Sequence, residues 1–222
     1  MIAHFVRSQK QSDDIYTFFF KPQAQFRYVA GQFVEIELPT QQPDERGTKR
    51  WFTLSSSPTE ELLAITTRLS SDHSTTFKQS LRQLKAGAEV TVSEPMGDFV
   101  LPKDTTQPIV FVAGGIGITP ARSMVRWLHD LSETRNIELL YFVSNKSDAV
   151  FIDGFDQHQG LALHLCIDKR PSFEILHELV TDIGQKTIFV SGPEKMVEAV
   201  VNQCMANGIS RSRLVIDSFP GY

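Results

Sequence analysis

The sequence predicts an antiparallel β-barrel followed by a doubly wound parallel α/β sheet, and three observations support this fold class. Short runs rich in β-branched and aromatic residues fill roughly the first hundred residues. After the polar, proline-bounded stretch Leu101–Pro108, continuous apolar runs alternate with helical segments. Glycine turns sit at the ends of two of those later runs. The change of rhythm sets the expected division between residues 1–103 and 104–222.

In the first half the expected strands cover 15–20, 32–38, 50–54, 62–67 and 89–93. Each joins β-branched or aromatic residues between proline or glycine punctuation, the mark of a half-buried strand. Several such strands separated by turns suit a barrel. A helix is expected from about 74 to 85, because Phe77, Leu81 and Leu84 recur at helical spacing, with Ser74 or Thr75 as N-cap and Gly87 as stop. In the second half Ile109–Ala113 reads as a buried parallel strand, being apolar throughout. A glycine turn and a helix through 121–128 follow, then strands at 137–143 and 161–167, a helix at 173–180 and a strand at 187–190. A last helix spans 194–206, stops at Asn207-Gly208, and leads to a final strand at 214–216.

Composition removes several functions. Of 222 residues, 41% are hydrophobic and 22% charged, which suits a globular protein with two cores. The net charge of −4, with no basic run interleaved with aromatics, argues against nucleic acid. Polar residues interrupt the N-terminus at once, and the least polar stretch, 108–121, is too short and glycine-rich to span a bilayer. A cytoplasmic chain without a membrane span is expected. Cys166 and Cys204 form no C-x-x-C pair and are too few to hold an iron–sulfur cluster; two small buried hydrophobes is the plain reading. The six histidines form no metal-binding spacing, so no metal is expected.

Ala113-Gly-Gly-Ile-Gly-Ile-Thr-Pro120 is the strongest local signal for chemistry. It follows a predicted strand and opens a helix, where backbone N–H groups attract phosphate and glycines let it approach. The spacing is not G-x-G-x-x-G, so an ordinary dehydrogenase fingerprint is absent. Ser144 and Lys146 lie at the end of the next strand, where a hydroxyl and a cation suit a ribose 2′-phosphate; a solvated surface lysine is the alternative. Ser191-Gly192-Pro193 occupies the same edge of a later strand, either as a ligand contact or as a capped turn. In the barrel half, Arg50-Trp-Phe-Thr-Leu-Ser-Ser-Ser57 puts a cation, two aromatics and hydroxyls on one strand and its exit. Arg50, Phe52 and Leu54 share one face, Trp51 and Thr53 the other. A guanidinium clamps phosphate, an aromatic covers a ring and a hydroxyl donates to it; an ordinary strand with a serine-rich loop would read the same way.

Together these segments resemble the ferredoxin–NADP reductase superfamily over nearly the whole chain. Arg50-Trp-Phe-Thr-Leu-Ser-Ser56 fits that family's flavin motif R-x-[YF]-[ST]-x-x-[ST]. Ala30-Gly-Gln-Phe33, Asp72-His-Ser-Thr-Thr-Phe-Lys78, Glu94-Pro-Met-Gly-Asp-Phe99, the 113–120 glycine turn and Ser191-Gly-Pro193 fit its other motifs in order. The resemblance implies a six-stranded barrel binding FAD, a Rossmann-like domain binding NADPH or NADH, and hydride transfer in the cleft between them. Arg50 would contact the FAD pyrophosphate with Ser74 and Thr75; Phe52 would lie along the flavin, Thr53 would bond near N5, and Trp51 and Thr67 would belong to the same site. Gly114, Gly115, Gly117 and Thr119 would hold the nicotinamide nucleotide with Gly192 and Pro193, and Ser191 would stand near the nicotinamide. The tail, Asp217-Ser-Phe-Pro-Gly-Tyr222, fits an acidic-x-aromatic segment whose ring covers the flavin, with Phe219 and Tyr222 as candidates. Phe52 stands where many members carry tyrosine, and Ser191 where cysteine is frequent. The implied activity is an NAD(P)H-dependent flavoprotein reductase, expected as a stand-alone module passing electrons to a separate protein or small-molecule acceptor such as ferredoxin, flavodoxin or a flavin. The competing readings are a non-turnover electron-transfer or nucleotide-sensing subunit of a redox complex, and a flavin-free binding module.

Overall fold

A computed structural model describes residues 1–38, 47–69 and 75–218, together with the backbone but not the side chain of Phe219. The first sheet is antiparallel and has six strands: β1 (Ile2–Lys10), β2 (Ile15–Pro22), β3 (Phe33–Glu37), β4 (Lys49–Thr53), β5 (Leu63–Arg68) and β6 (Glu89–Val92), in the order β4-β3-β6-β1-β2-β5. A bridge between Leu54 and Ile65, with Ser55 N–H donating to the Ala64 carbonyl at 2.8 Å, joins the two edges and closes a barrel. Closure removes the unpaired edges that an open sheet exposes. Phe5, Phe18, Phe20, Val34, Ile36, Phe52, Val90 and Val92 fill it from alternate strand positions. Helix α1 (Thr76–Arg82) plugs one end with Phe77 and Leu81, one turn apart and both buried.

Strand β1 is absent from the sequence reading because its outer half, Val6 to Lys10, is exposed on both faces and shows no apolar alternation. Helix α1 is shorter than expected. Thr75 is its N-cap, the hydroxyl accepting from Lys78 N–H at 3.3 Å, and Ser74 lies outside the described residues.

The second sheet is parallel, ordered β11-β10-β7-β8-β9, from β7 (Ile109–Gly114), β8 (Ile137–Val143), β9 (Leu161–Ile167), β10 (Thr187–Pro193) and β11 (Leu214–Phe219). The run at 109–114 is apolar throughout because both faces are covered. Ile109, Phe111 and Ala113 pack on α2 (Thr119–Asp130), while Val110 and Val112 pack on α4 (Phe173–Leu179) and α5 (Glu194–Ala206). A short α3 (Ile152–Phe155), not foreseen from the sequence, follows β8. The chain leaves β7 toward β8 and β9, then returns to β10 on the other side. The carboxyl ends of β7 and β10 therefore diverge at a topological switch point, where open α/β sheets bind ligands. The two sheets share one apolar cluster: Ile15, Ala30 and Phe99 pack with the α2 side of the parallel sheet, and Phe99 meets Phe189 edge-on with ring centroids 5.1 Å apart. Among the described residues no helix is long and apolar enough to cross a membrane.

Candidate functional site between the two sheets

A cleft of about 830 Å³ opens between barrel and parallel sheet, within the range of small-molecule and cofactor sites. From the barrel it is lined by Trp51, Phe52 and Thr53 of β4, by Thr66, Thr67 and Arg68 of β5, and by Lys78. Strand alternation turns Arg50 and Phe52 inward and Trp51 outward, as the sequence predicts. Phe52 packs on Phe77 at 5.8 Å and still reaches the cleft. Arg50 is 4% exposed and does not line the cleft; its guanidinium donates to the carbonyls of Lys49 (2.7 Å) and Gly47 (3.2 Å). Thr75 also stays out of the lining.

On the opposite wall Gly114, Gly115, Gly117, Thr119, Gly192 and Pro193 converge. Gly115 has φ +53° and open space where a side chain would be. A Cβ at Gly117 would lie 2.2 Å from the Ser191 carbonyl oxygen, so the turn fits against β10 only without a side chain. A 3-10 turn, Gly115–Ile118, runs directly into α2, whose first turn contains Pro120. Of the two readings open for Ser191-Gly192-Pro193, the capped turn is not what forms, and Gly192 and Pro193 line the cleft. All three residues belong to β10 and pair in register with Asp217, Ser218 and Phe219 of β11.

Thr53 and Asp217 link the two walls. The Thr53 hydroxyl donates to the Asp217 carboxylate at 3.3 Å across 164 residues of chain. Burial pushes the Asp217 carboxyl up to about 6, with the Thr53 and Ser191 hydroxyls pulling the other way. The Ser191 hydroxyl is buried and makes no hydrogen bond of ordinary geometry, yet it stands near enough to favour the charged carboxylate.

Helix α2 is fastened to the loop that follows β4. Arg122 ion-pairs with Glu60 through both guanidinium nitrogens and donates to the Ser55 carbonyl at 2.7 Å. Ser123 donates to the Ser56 carbonyl, and Thr59 bonds to Asp130. Arg68 makes a further tie, donating to Asp14 within its own sheet and pairing with Asp148 beyond β8 at 3.2 Å.

Ser144 lines the cleft but Lys146 does not; it lies exposed on the short turn that follows. On the parallel-sheet wall the cations that line the cleft are Lys169 and Arg170, after β9, beside Asp168. Neither cation has an ion pair among the described residues. The rule that ligands gather at the carboxyl ends of parallel strands applies equally to Asp168-Lys-Arg170, and was the signal available for it. Asp148, Arg68 and Lys78 had no comparable signal, because long-range pairing brings them to the site. Phe219 reaches the site's edge by its backbone, while its side chain, like Tyr222, lies outside what is described.

No family model matches the sequence. The chain is 25% identical to flavohemoprotein A of Dictyostelium discoideum over 96% of its own length and 58% of that protein's. It is 26% identical to the glycine betaine monooxygenase reductase subunit of Chromohalobacter salexigens, over 94% and 58%. It superposes on a ferredoxin NADP+ reductase from Neisseria gonorrhoeae, solved with FAD and NADP, with a TM-score of 0.81, 14% identity and 98% of both chains covered. In sequence the chain is similar to a flavohemoprotein and an oxygenase reductase subunit, and in fold it matches that ferredoxin NADP+ reductase. The chain spans a little over half the length of these two curated relatives.

Proposed function

We propose that this chain is an FAD-dependent NAD(P)H oxidoreductase that passes electrons to a separate acceptor. One observation carries the reading: a single cleft has the Trp51-Phe52-Thr53 strand on one wall and the glycine turn with the β10 edge on the other. Bound FAD would accept a hydride from the nicotinamide and release electrons onward, chemistry that belongs to the cofactor. The residues fit such a group. Gly115 leaves open space beside a helix start, Thr53 offers a hydroxyl, and Phe52 with Trp51 offers aromatic surface.

In this reading Arg50, Ser74 and Thr75 hold the FAD pyrophosphate, and Phe52, Thr53, Trp51 and Thr67 surround the flavin. Gly114, Gly115, Gly117, Thr119, Gly192 and Pro193 seat the nicotinamide nucleotide, and Phe219 or Tyr222 covers the flavin. Thr53, Ser191 and Asp217 form a polar group that can orient the reacting rings and hold or release a proton on Asp217. The same reading divides the chain at 103/104 and places it in the cytoplasm. Cys166 and Cys204, both free and buried, suit a reducing compartment.

Gentle purification should give a yellow protein that releases FAD on denaturation, identified by chromatography. Arg50→Ala should retain FAD at least about tenfold less well, since a charge-assisted contact is worth about 1.5–3 kcal/mol. FMN alone, or no flavin, would overturn the reading.

A further inference from the structure

Beside the cleft the barrel carries a surface that meets the cleft at Trp51. Seven large hydrophobic residues are exposed among those described, and three of them, Val29 (55%), Trp51 (52%) and Met96 (37%), fall on one continuous face. Phe33 joins them. Its ring lies 6.2 Å from that of Trp51, and its backbone pairs with Met96. Gln32 completes the continuity, accepting from Val29 N–H at 2.8 Å and donating to the Gly97 carbonyl at 3.3 Å. Trp51 belongs both to this face and to the cleft lining, so the apolar patch runs up to the place where the redox group would sit.

The rim of the patch is acidic. Glu35 and Glu37 project from the same face of β3 as Phe33, and the exposed Glu94 and Asp98 flank Met96. One cation among these residues, Lys49, stands against them, and Glu35 and Glu37 share it at 3.2 and 3.8 Å. Glu94 and Asp98 have no ion pair among the described residues. Isolated exposed hydrophobics are ordinary, but a contiguous patch with a rim of one sign marks a protein contact. An acidic rim repels acidic partners and draws in basic ones, and the effect shows mainly in encounter rate and salt dependence.

We propose that this face docks a basic one-electron acceptor protein, with an apolar centre on Val29, Phe33, Trp51 and Met96 and lysine-type contacts at Glu94, Asp98 and Glu37. The proposal rests on the reductase reading above and narrows its acceptor: an acidic carrier of the ferredoxin type is disfavoured. One hydride from the nicotinamide nucleotide would supply two electrons, which would leave singly to reduce two oxidised acceptor centres, while the hydride's proton passes to solvent.

The test uses the flavin-loaded protein with mitochondrial cytochrome c as the basic probe, an acidic plant-type ferredoxin as the opposite probe, and menadione as a neutral acceptor. The unaltered protein should bind cytochrome c more tightly than the ferredoxin at low salt, measured by calorimetry without turnover, and added salt should weaken that binding. The double substitution Glu94→Lys and Asp98→Lys should weaken cytochrome c binding and raise its KM about tenfold, leaving menadione reduction unchanged. Met96→Asp, which keeps the acidic rim but spoils the apolar centre, should also weaken binding. Tighter binding of ferredoxin, unchanged cytochrome c affinity in both variants, or equal losses with menadione would each overturn the proposal. Loss of all menadione reduction in the unaltered protein would count against the reductase reading instead, and the calorimetric comparison would still decide the docking face.

Discussion

Replacing Asp217 by asparagine isolates the only carboxyl group among the described residues that burial holds well above its ordinary range. The folded-state value of about 6 exceeds the unfolded value near 3.8, so the folded protein binds the proton more tightly. Stability is therefore highest at low pH as far as this group is concerned, falls as pH rises from about 4 to about 6, and is flat above that. A shift of about two units corresponds to a penalty of about 3 kcal/mol at pH about 7.5 and about 1 kcal/mol at pH about 4.5. Asparagine keeps the size and an oxygen that can accept from Thr53, but carries no charge. Urea unfolding of the ligand-free protein should show Asp217→Asn more stable than the parent by up to about 3 kcal/mol near neutrality, with the gain shrinking by about 2 kcal/mol at the acid end. Taking the difference between variant and parent cancels every other titrating group. The rate of nucleotide-dependent flavin reduction should lose an ionisation near pH 6 in the same variant. A stability difference that is the same at both pH values would refute the argument, because the buried carboxylate would then not be the source of the effect.

Two further outcomes concern the cleft wall formed by the parallel sheet. Lys169→Ala and Arg170→Ala should each weaken NADPH binding about tenfold, one charge-assisted contact being worth about 1–2 kcal/mol, while Lys146→Ala leaves titrations unchanged; a larger effect at Lys146 would reverse the assignment. Gly117→Ala puts a methyl group 2.2 Å from a backbone oxygen that cannot swing aside, so it should destabilise the fold by about 1–3 kcal/mol and impair nucleotide binding; a neutral thermal melt would show that the turn has slack.

The parts of this molecule that were legible in the sequence are those with local causes. Strands β8 and β9 and helix α5 fall where apolar period and stop signals set them, at 137–143, 161–167 and 194–206. The glycine turn was legible because strand, glycine and helix start are neighbours in the chain. Two points the sequence leaves open share one cause, that it does not say which residues the fold brings to the cleft. Lys146 and Lys169 both follow parallel strands whose ends line the cleft, and only the turn after each strand puts the second in the lining and leaves the first exposed. Likewise Ser191 to Pro193 reads equally as a ligand contact or a capped turn until β11 is known to pair with it. The acidic rim around Trp51 was invisible for the same reason, since Glu35, Glu94 and Asp98 become neighbours only through the β3 pairings.

The fastening of α2 to the barrel has a consequence for how the molecule can evolve and move. One helix carries the glycine turn at its start, the Arg122–Glu60 pair in its middle and the Thr59–Asp130 bond at its end. Because Phe99 and Ile15 also lie in the apolar cluster of that helix, neither half covers its own inner surface. The spacing between the two walls is thus set by a shared seam rather than by a hinge. Selection on partners can then reshape the outer face of the barrel without disturbing the gap between the two walls.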